Sequence, residues 1–188
     1  MKTDCDKKEL LEYRDEELLK KFDLVVIAIG SPTHERIFAD YLGSVSNQPA
    51  VVDTWLEGYG VGGHATLSVP NKRGCLLCAF VDNNNFSRGL SSNLSFIESN
   101  QNLTTNIAGC GDLFLPFSSI DAGQTATIAA DLSVKYLLGR MNESCVVSWK
   151  GDDFEASQND ISLTHRYYHF DQSLIKAPLH HEGCDQCE

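Results

Sequence analysis

The first half of the chain contains an apolar run followed by a segment with helix-start signals. Residues 24–29 are continuously apolar and rich in β-branched side chains, which is typical of a strand buried on both faces of a parallel sheet. Ser31 and Pro32 then predict the start of a helix, because serine is a favoured N-cap and proline suits the first helical position. The apolar face of this helix ends at Gly43. A second strand is predicted at 50–55, so the order strand–helix–strand predicts a parallel βαβ unit.

Apolar periodicity also predicts the other elements. Two further helices are expected, one at 7–21 and one at 122–138, the second capped by Asp121 and ended by Gly139. Three further strands are predicted, at 64–69, 145–149 and 165–170. Residues 81–109 break all periodicity and contain seven Asn and five Ser. A segment of this kind predicts a long loop that is either functional or disordered.

Composition narrows the class of protein. The 188 residues suffice for one domain over 1–188, and 42% apolar and 22% charged residues are ordinary for a globular protein. The formal net charge is −11 and no basic run is present, which argues against nucleic acid as a ligand. No secretion signal is visible at residues 1–8, and no apolar run approaches the roughly 20 residues that span a bilayer. We therefore expect a cytoplasmic protein that does not enter a membrane.

Four of the seven cysteines form two Cys-x-x-Cys pairs, Cys75 with Cys78 and Cys184 with Cys187. Thiolates at i and i+3 can bind one side of a tetrahedral Zn²⁺, and two pairs complete a closed structural Cys₄ shell. Residues 70–74 predict a tight turn before the first pair. The pairs lie 106 positions apart, further than in a usual zinc ribbon. We expect structural zinc, with reduced unliganded thiols or a redox pair as the alternatives.

Three glycines match the G-x-G-x-x-G pattern of dinucleotide-binding loops, namely Gly58, Gly60 and Gly63. In such loops the glycines open a helix whose N-terminus holds the pyrophosphate. Here the chain continues as His-Ala-Thr-Leu-Ser-Val, which alternates like a strand. We therefore predict a glycine-rich bend and no cofactor-binding residues in this chain.

Several polar residues admit both a structural and a functional interpretation. His64, at a strand start, is interpreted as a structural hydrogen-bond donor, with substrate binding as the alternative. Asp53 and Glu57 are interpreted as a solvated strand edge, with a binding groove as the alternative. His180 and His181 lie close to the last cysteine pair but are interpreted as exposed tail residues.

Five segments occur in an order that resembles one known superfamily. They are Asp23-Leu-Val-Val-Ile-Ala-Ile-Gly-Ser, Gly74-Cys75-Leu-Leu-Cys78, Ala108-Gly109-Cys110-Gly111, the helix at 122–138 and Gly183-Cys184-Asp-Gln-Cys187. The chain in this respect is similar to the ThiF/MoeB-type adenylyltransferases, relatives of the ubiquitin-activating enzymes. Trp55-Leu-Glu-Gly-Tyr-Gly-Val-Gly-Gly-His64-Ala and Cys110-Gly-Asp-Leu-Phe-Leu-Pro-Phe look most like the bacterial antiphage, CBASS-type branch.

The resemblance implies a fold and a chemistry. It implies the C-terminal portion of a doubly wound α/β sheet with a long crossover loop and Cys₄ zinc knuckles. In this family a protein C-terminus is adenylated with ATP and then transferred to a cysteine as a thioester, and the matching residue here is Cys110. The implied partners are a ubiquitin-like or other protein C-terminus and a ubiquitin-conjugating-like domain, and the family commonly forms homodimers. A small buried structural cysteine is the alternative interpretation of Cys110.

Two departures from the family pattern limit what this chain can do alone. The glycine-rich ATP loop of the family, with its basic contacts, has no counterpart upstream of residue 24. An aspartate that many relatives place just after this strand is also missing, because the sequence there is Ile29-Gly-Ser-Pro32. We expect a partial domain that uses ATP and Mg²⁺ only together with the missing N-terminal part. The alternative is a catalytically inactive ThiF-like module for dimerisation and partner binding.

Overall fold

A five-stranded mixed sheet lies at the centre of the described residues, which are 8–82, 89, 91–106 and 113–187 of a computed structural model. The strands are β1 (Leu24–Ile27), β2 (Ala50–Leu56), β3 (Gly62–Ser68), β4 (Thr105–Asn106), β5 (Leu113–Phe114), β6 (Cys145–Lys150) and β7 (Leu174–Pro178). The central sheet has the order β1-β2-β3-β6-β7, and β4 pairs with β5 separately. The pair β1–β2 is parallel and every other pair is antiparallel. The predicted α/β class is therefore confirmed, with a mixed sheet.

Five α-helices and three short 3₁₀ helices complete the described elements. The α-helices are α1 (Glu16–Leu19), α2 (Pro32–Gly43), α3 (Ser119–Leu137), α4 (Phe154–Gln158) and α5 (His165–His169). The 3₁₀ helices are Leu10–Tyr13, Gly58–Gly60 and Leu76–Phe80. None of the helices in this part of the chain combines the length and the apolar character that crossing a membrane requires.

The predicted βαβ unit is confirmed. β1 and β2 run parallel, with Leu24 opposite Ala50 and Ile27 opposite Asp53, and α2 connects them. Ser31 is the N-cap of α2 and Pro32 is its first residue, as the capping preferences predict. The predicted glycine-rich bend is also confirmed, because Gly58–Gly60 is a short 3₁₀ turn that leads into β3 and opens no α-helix.

The prediction that the first strand is buried on both faces is wrong. β1 is an edge strand of the sheet, and Val26 is 52% exposed. Phe22 and Ile29, at either side of this strand, are exposed to about the same extent. A continuous apolar run indicates two covered faces only when elements pack on both sides, and within the described residues β1 has one strand neighbour.

Helices cover both faces of the sheet. α3 packs through Ala129 and Leu132 on the face that carries Val52 and Leu67. Phe38 of α2 packs on the opposite face, together with the 3₁₀ helix Leu76–Phe80. The polar side chains that matter for the site lie on that second face.

The long helix begins three residues earlier than predicted. Ser118 is its N-cap, and its hydroxyl accepts a hydrogen bond from the Asp121 amide at 3.2 Å, while the Asp121 carboxylate accepts one from the Ser118 amide at 2.7 Å. This reciprocal pair is a capping box. The sequence predicted Asp121 as the N-cap, whereas it is the third helical residue of the box. Aspartate suits both positions, so residue type alone does not distinguish them.

The predicted helix at 7–21 is replaced by two short turns, the 3₁₀ helix Leu10–Tyr13 and α1. The Asp15 carboxylate accepts hydrogen bonds from the amides of Glu17 and Leu18, so it caps a new helix. Side-chain capping of this kind competes with continuation of the helix through the same residues.

The predicted strand at 165–170 is the helix α5. Tyr167 and Phe170 lie three residues apart and both enter the same apolar cluster, which a helix allows and an alternating strand does not. The Lys150 ammonium donates to the carbonyls of Tyr167 and Phe170 at 2.8 and 3.1 Å and so satisfies the helix end. The last strand of the sheet is instead β7, which pairs with β6 and was not predicted.

Candidate metal centre and adjoining groove

The two cysteine pairs meet in the structure, 106 positions apart in sequence. The sulfur atoms of Cys75, Cys78, Cys184 and Cys187 all lie within 4.8 Å of one another. Individual Sγ–Sγ distances are 3.8 Å for Cys75–Cys184, 3.6 Å for Cys78–Cys187 and 3.4 Å for Cys75–Cys187. Four sulfurs at about 2.3 Å from a tetrahedral Zn²⁺ would lie about 3.8 Å apart. The donor set and its spacing therefore fit a metal ion such as zinc.

The two pairs have the same local backbone geometry. The Cys78 amide donates to the Cys75 carbonyl at 3.0 Å, and the Cys187 amide donates to the Cys184 carbonyl at the same distance. Each turn therefore directs two thiols to one side. Gly74 precedes the first pair with φ of +107°, and a Cβ at this position would overlap the carbonyl oxygen of Leu179. Only glycine fits here, which explains the sequence of the turn.

The surroundings of the cluster hold the chain end against α2. Cys78 and Cys184 are buried, and Cys75 and Cys187 are half-buried. The side-chain amide nitrogen of Gln186 donates to the carbonyl oxygen of Ala39 on α2 at 3.0 Å, and the side-chain oxygen of Gln186 accepts from the Cys75 thiol at 3.4 Å. Hydrogen bonds among the four sulfurs lower the pKa of Cys78 and Cys184 and raise the pKa of Cys75 and Cys187, because the thiols share their protons within the cluster.

The neighbouring histidines do not join the cluster. His180 is exposed as predicted, whereas His181 is half-buried and lies against the carbonyl oxygen of Glu182. Within the described residues, the group that can hold a metal consists of the four cysteines alone. Four ligands from the protein leave no open coordination position, which is the arrangement of a structural site.

A groove lies at the carboxyl ends of β1 and β2. It consists of two cavities of 600 and 320 Å³ that share five lining residues, and we call it the carboxyl-end groove. The shared residues are Pro32, Glu35, Trp55, Leu56 and Leu115. In open α/β sheets this edge is where ligands bind. Leu115 directly follows β5, so the groove adjoins the β4–β5 pair.

The charged side chains that line the groove are carboxylates. They are Glu35, Glu57 and Glu98, and no Lys, Arg or His lines either cavity among the residues that the structure describes. Burial raises the pKa of Glu35, which is 4% exposed. This lining disfavours a phosphate group. The N-terminus of α2 reaches the groove at Pro32, but the Glu35 carboxylate already accepts a hydrogen bond from the Ser31 amide there at 3.2 Å.

Glu57 belongs to a buried hydrogen-bond network that supports the wall of the groove. Its carboxylate accepts hydrogen bonds from the amides of Phe96 and Ile97 at 2.6 and 2.8 Å and contacts His64 Nε2 at 2.7 Å. His64 Nδ1 lies 2.8 Å from the Ser148 hydroxyl, and His64 is fully buried. The structural interpretation of His64 is therefore confirmed.

Asp53 and Glu57 do not form a solvated strand edge, so that prediction is wrong. They are 2% and 7% exposed. Asp53 lies on the face of β2 that α2 covers, and Glu57, just after β2, is enclosed by the segment that contains Phe96 and Ile97. Burial and the charge of Glu35 raise the pKa of Asp53 to about 8. Asp53 lines a small cavity of about 30 Å³ together with Ser68 and Cys75.

Glu35 was not singled out from sequence, although a signal exists. It lies three residues before Phe38 and seven before Leu42, and all three are buried on one face of α2. A charged residue within an apolar stripe at helical spacing indicates a buried carboxyl. The exposed Glu98 has no comparable signal.

Cys110, the predicted nucleophile, lies outside the described residues, as does Cys5. The strands on either side of its segment, β4 and β5, pair with each other, with Asn106 opposite Leu113.

Comparison with protein-family models and with curated proteins finds no match to this chain. What the chain does must therefore be argued from the metal centre, the groove and the sequence segments around them.

Proposed function

We propose that this chain is the zinc-stabilised, thioester-forming part of a ubiquitin-activating-like adenylyltransferase of the ThiF/MoeB type, in the CBASS-type branch. The observation that carries the proposal is the Cys₄ cluster, in which two matched turns from distant parts of the chain meet with tetrahedral spacing. The order of the cluster's two halves around the Cys110 segment and α3 matches the order in that family. Under this proposal the sheet is part of a larger, doubly wound one.

Zinc has a structural role in this proposal. Cys75 and Cys78 would hold it from the turn after β3, and Cys184 and Cys187 would hold it from the chain end. A bound Zn²⁺ supplies four bonds that tie these segments together, and no catalytic step requires it.

The thioester step assigns the nucleophile to Cys110. Its thiolate attacks the carbonyl carbon of an acyl-adenylate, so that a carbon–sulfur bond forms and the carbon–oxygen bond to AMP breaks. AMP leaves with the electron pair of that bond, and the thiol proton goes to solvent. The acyl group then passes to a cysteine of a conjugating-like domain. Only the thiolate is an effective nucleophile, and the flanking glycines leave room for a polypeptide terminus.

Adenylation itself is assigned to a part that contributes an ATP site. The groove at the usual ligand-binding edge has a carboxylate lining, which is consistent with ATP and Mg²⁺ binding only in combination with that part. The exposed apolar side chains of Val26 on β1 and of Phe22 and Ile29 beside it offer a surface that such a part could cover. We place the protein in the cytoplasm and expect a homodimer.

One observation favours the second candidate, a catalytically inactive module that dimerises and binds a partner. The groove lacks a basic lining residue among the described ones, and a pure binding module needs none.

Transthioesterification separates the two candidates. A synthetic peptide with a C-terminal benzyl thioester is incubated with the protein, and the adduct is located by mass spectrometry. We expect a hydroxylamine-sensitive adduct on Cys110 that forms faster than the same adduct on free glutathione. Cys110→Ala should abolish it, and Cys145→Ala, which removes a buried thiol, should not. A rate no faster than glutathione, or an adduct at another cysteine, would reject the enzymatic role.

A further inference from the structure

The four sulfurs of the cysteine cluster differ in how well they are shielded from solvent. Cys78 and Cys184 are buried, whereas Cys75 and Cys187 are half-buried. The two half-buried cysteines come from different turns, and their Sγ atoms lie 3.4 Å apart. This distance is shorter than the 3.8 Å of Cys75–Cys184 and the 3.6 Å of Cys78–Cys187. The accessible sulfurs of the cluster are therefore also close neighbours.

A cavity of about 310 Å³ gives access to these two sulfurs, and we call it the cluster cavity. Cys75 and Cys187 line it, and Cys78 and Cys184 do not. A water molecule takes up about 30 Å³ in the liquid, so the cavity admits molecules larger than water. Most of its other lining residues are polar or charged; they are Gln48, Ser68, Asn71, Lys72, Arg73 and Gln186. A small polar oxidant such as hydrogen peroxide can therefore reach both sulfurs.

We propose that Cys75 and Cys187 form an oxidative modification site, at which hydrogen peroxide creates a disulfide between the two halves of the cluster. Cysteines that respond to oxidants are accessible to solvent and lie beside a second cysteine that reacts with the first oxidation product. Cys75 and Cys187 meet both conditions, whereas the buried Cys78 and Cys184 meet only the second. The inference rests on the proposed function, which gives the cluster a structural metal, and it adds a chemical response to that centre.

The reaction consists of two steps. The thiolate of one of the two cysteines attacks hydrogen peroxide, so that a sulfur–oxygen bond forms, the oxygen–oxygen bond breaks and hydroxide leaves. The other thiolate then attacks the sulfur of this sulfenic acid. A sulfur–sulfur bond forms, the sulfur–oxygen bond breaks and a second hydroxide leaves. The two thiolates together lose two electrons, which reduce the peroxide, and both hydroxides take protons from solvent to become water.

The identity of the disulfide determines what happens to the chain end. A bond between Cys75 and Cys187 removes two of four possible metal ligands, but it joins the turn after β3 covalently to the chain end. Disulfides within the turns, Cys75–Cys78 and Cys184–Cys187, would remove all four ligands and leave the two segments unlinked. The proposed modification therefore replaces a metal link by a covalent one.

Peptide mapping tests which disulfide forms. The full chain carrying Cys110→Ala is treated with hydrogen peroxide, blocked with N-ethylmaleimide and digested with trypsin. Cys75 and Cys78 then lie on the peptide 74–88, and Cys184 and Cys187 lie on the peptide 177–188. A disulfide within either turn leaves these peptides separate, whereas the proposed disulfide joins them.

We expect the joined peptides to exceed the separate disulfide-containing peptides by at least about tenfold, because only one sulfur of each turn is accessible. Fragment spectra should assign the main bond to Cys75–Cys187, and dithiothreitol should reverse it. Separate disulfide-containing peptides in excess, or a main bond through Cys78 or Cys184, would overturn the proposal.

Two serine variants provide a matched comparison. Cys78→Ser and Cys187→Ser each remove one sulfur from the cluster, so both weaken metal binding by loss of one ligand. We expect Cys78→Ser to retain the joined peptides and Cys187→Ser to reduce their yield about tenfold or more. Equal yields from the two variants would show that accessibility does not select the bond and would overturn the proposal.

The zinc content before oxidation separates this inference from the proposed function. Protein that contains no zinc would reject the structural zinc, but its disulfide map would still test the inference, because the four thiols can be oxidised without metal. Protein that contains zinc and forms disulfides within the turns would retain the zinc centre and reject the inference.

Discussion

The buried carboxyl of Asp53 makes the stability of this protein depend on pH in a direction opposite to that of most aspartates. Asp53 lies on β2 opposite Thr66, is 2% exposed, and its pKa is raised from 3.8 to about 8 by burial and by Glu35. The folded state therefore holds this proton more tightly than the unfolded state. The stabilisation is complete below the unfolded pKa near 4 and is lost as the pH rises through 8.

The substitution Asp53→Asn removes this dependence with little change in shape. Each pKa unit corresponds to about 1.4 kcal/mol, so the shift of roughly four units amounts to about 6 kcal/mol when fully lost. Relative to the parent, the variant should gain about 1.4 kcal/mol in free energy of unfolding per pH unit between pH 5 and 8. The parent and variant differ at one titrating side chain, so other contributions cancel.

Urea unfolding at pH 5, 6, 7 and 8 with saturating zinc measures this difference. Asp131→Asn is the control, because Asp131 is exposed on α3 and pairs with Lys135. The difference in free energy of unfolding between Asp131→Asn and the parent should stay nearly constant from pH 5 to pH 8. A constant difference for Asp53→Asn as well would refute the assignment of a raised pKa to this carboxyl.

Three further substitutions test parts of the fold. Gly74→Ala should weaken zinc binding, since the added Cβ would overlap the carbonyl oxygen of Leu179. The variant should lose its metal to a chelator faster than the parent does, and an unchanged rate of loss would contradict this role of Gly74. Glu57→Ala should lower the free energy of unfolding by about 3–5 kcal/mol, because two buried amides and His64 lose their hydrogen-bond partner. A decrease of less than about 1 kcal/mol would show that this buried hydrogen-bond network does not stabilise the fold. Ser118→Ala should lower the free energy of unfolding, measured by thermal denaturation, by about 1 kcal/mol, because the N-cap hydrogen bond of α3 is lost. An unchanged stability would show that this cap does not stabilise α3.

The cysteine cluster was predictable because the information that specifies each half of it is local. Each Cys-x-x-Cys pair forms its own turn, with an amide-to-carbonyl hydrogen bond from the second cysteine to the first. The pairing of the two turns can be predicted without knowing how the intervening chain folds. A structural zinc site needs four ligands, and the second cysteine pair supplies the two that the first lacks. The same holds for α2, whose start is encoded by Ser31 and Pro32.

Burial of polar residues was not predicted, because it depends on which strands become inner ones. Asp53 and Glu57 resemble solvated residues by type. However, Asp53 shares its strand face with Val51 and Trp55, and this alternation already places it on an apolar side. The edge position of β1 could not be read from its apolar run, since that run describes only the strand and not what packs beside it.

The C-terminal elements were misassigned for a related reason. Residues 165–170 are rich in aromatic side chains, which favour strands, but Tyr167 and Phe170 reach one cluster only from a helix. β7 carries Pro178 at its end, where an edge strand tolerates a missing amide, and this proline obscured the strand pattern. In both cases tertiary packing outweighed local preference.

Alkylation of the native protein, read residue by residue by mass spectrometry, tests the central claim most directly. The account predicts rapid labelling of Cys110 and protection of Cys75, Cys78, Cys184 and Cys187 until a chelator removes the metal. Equally fast labelling of the four cluster cysteines in untreated protein would contradict the zinc centre. Protection of Cys110 under native conditions would contradict its role as the nucleophile.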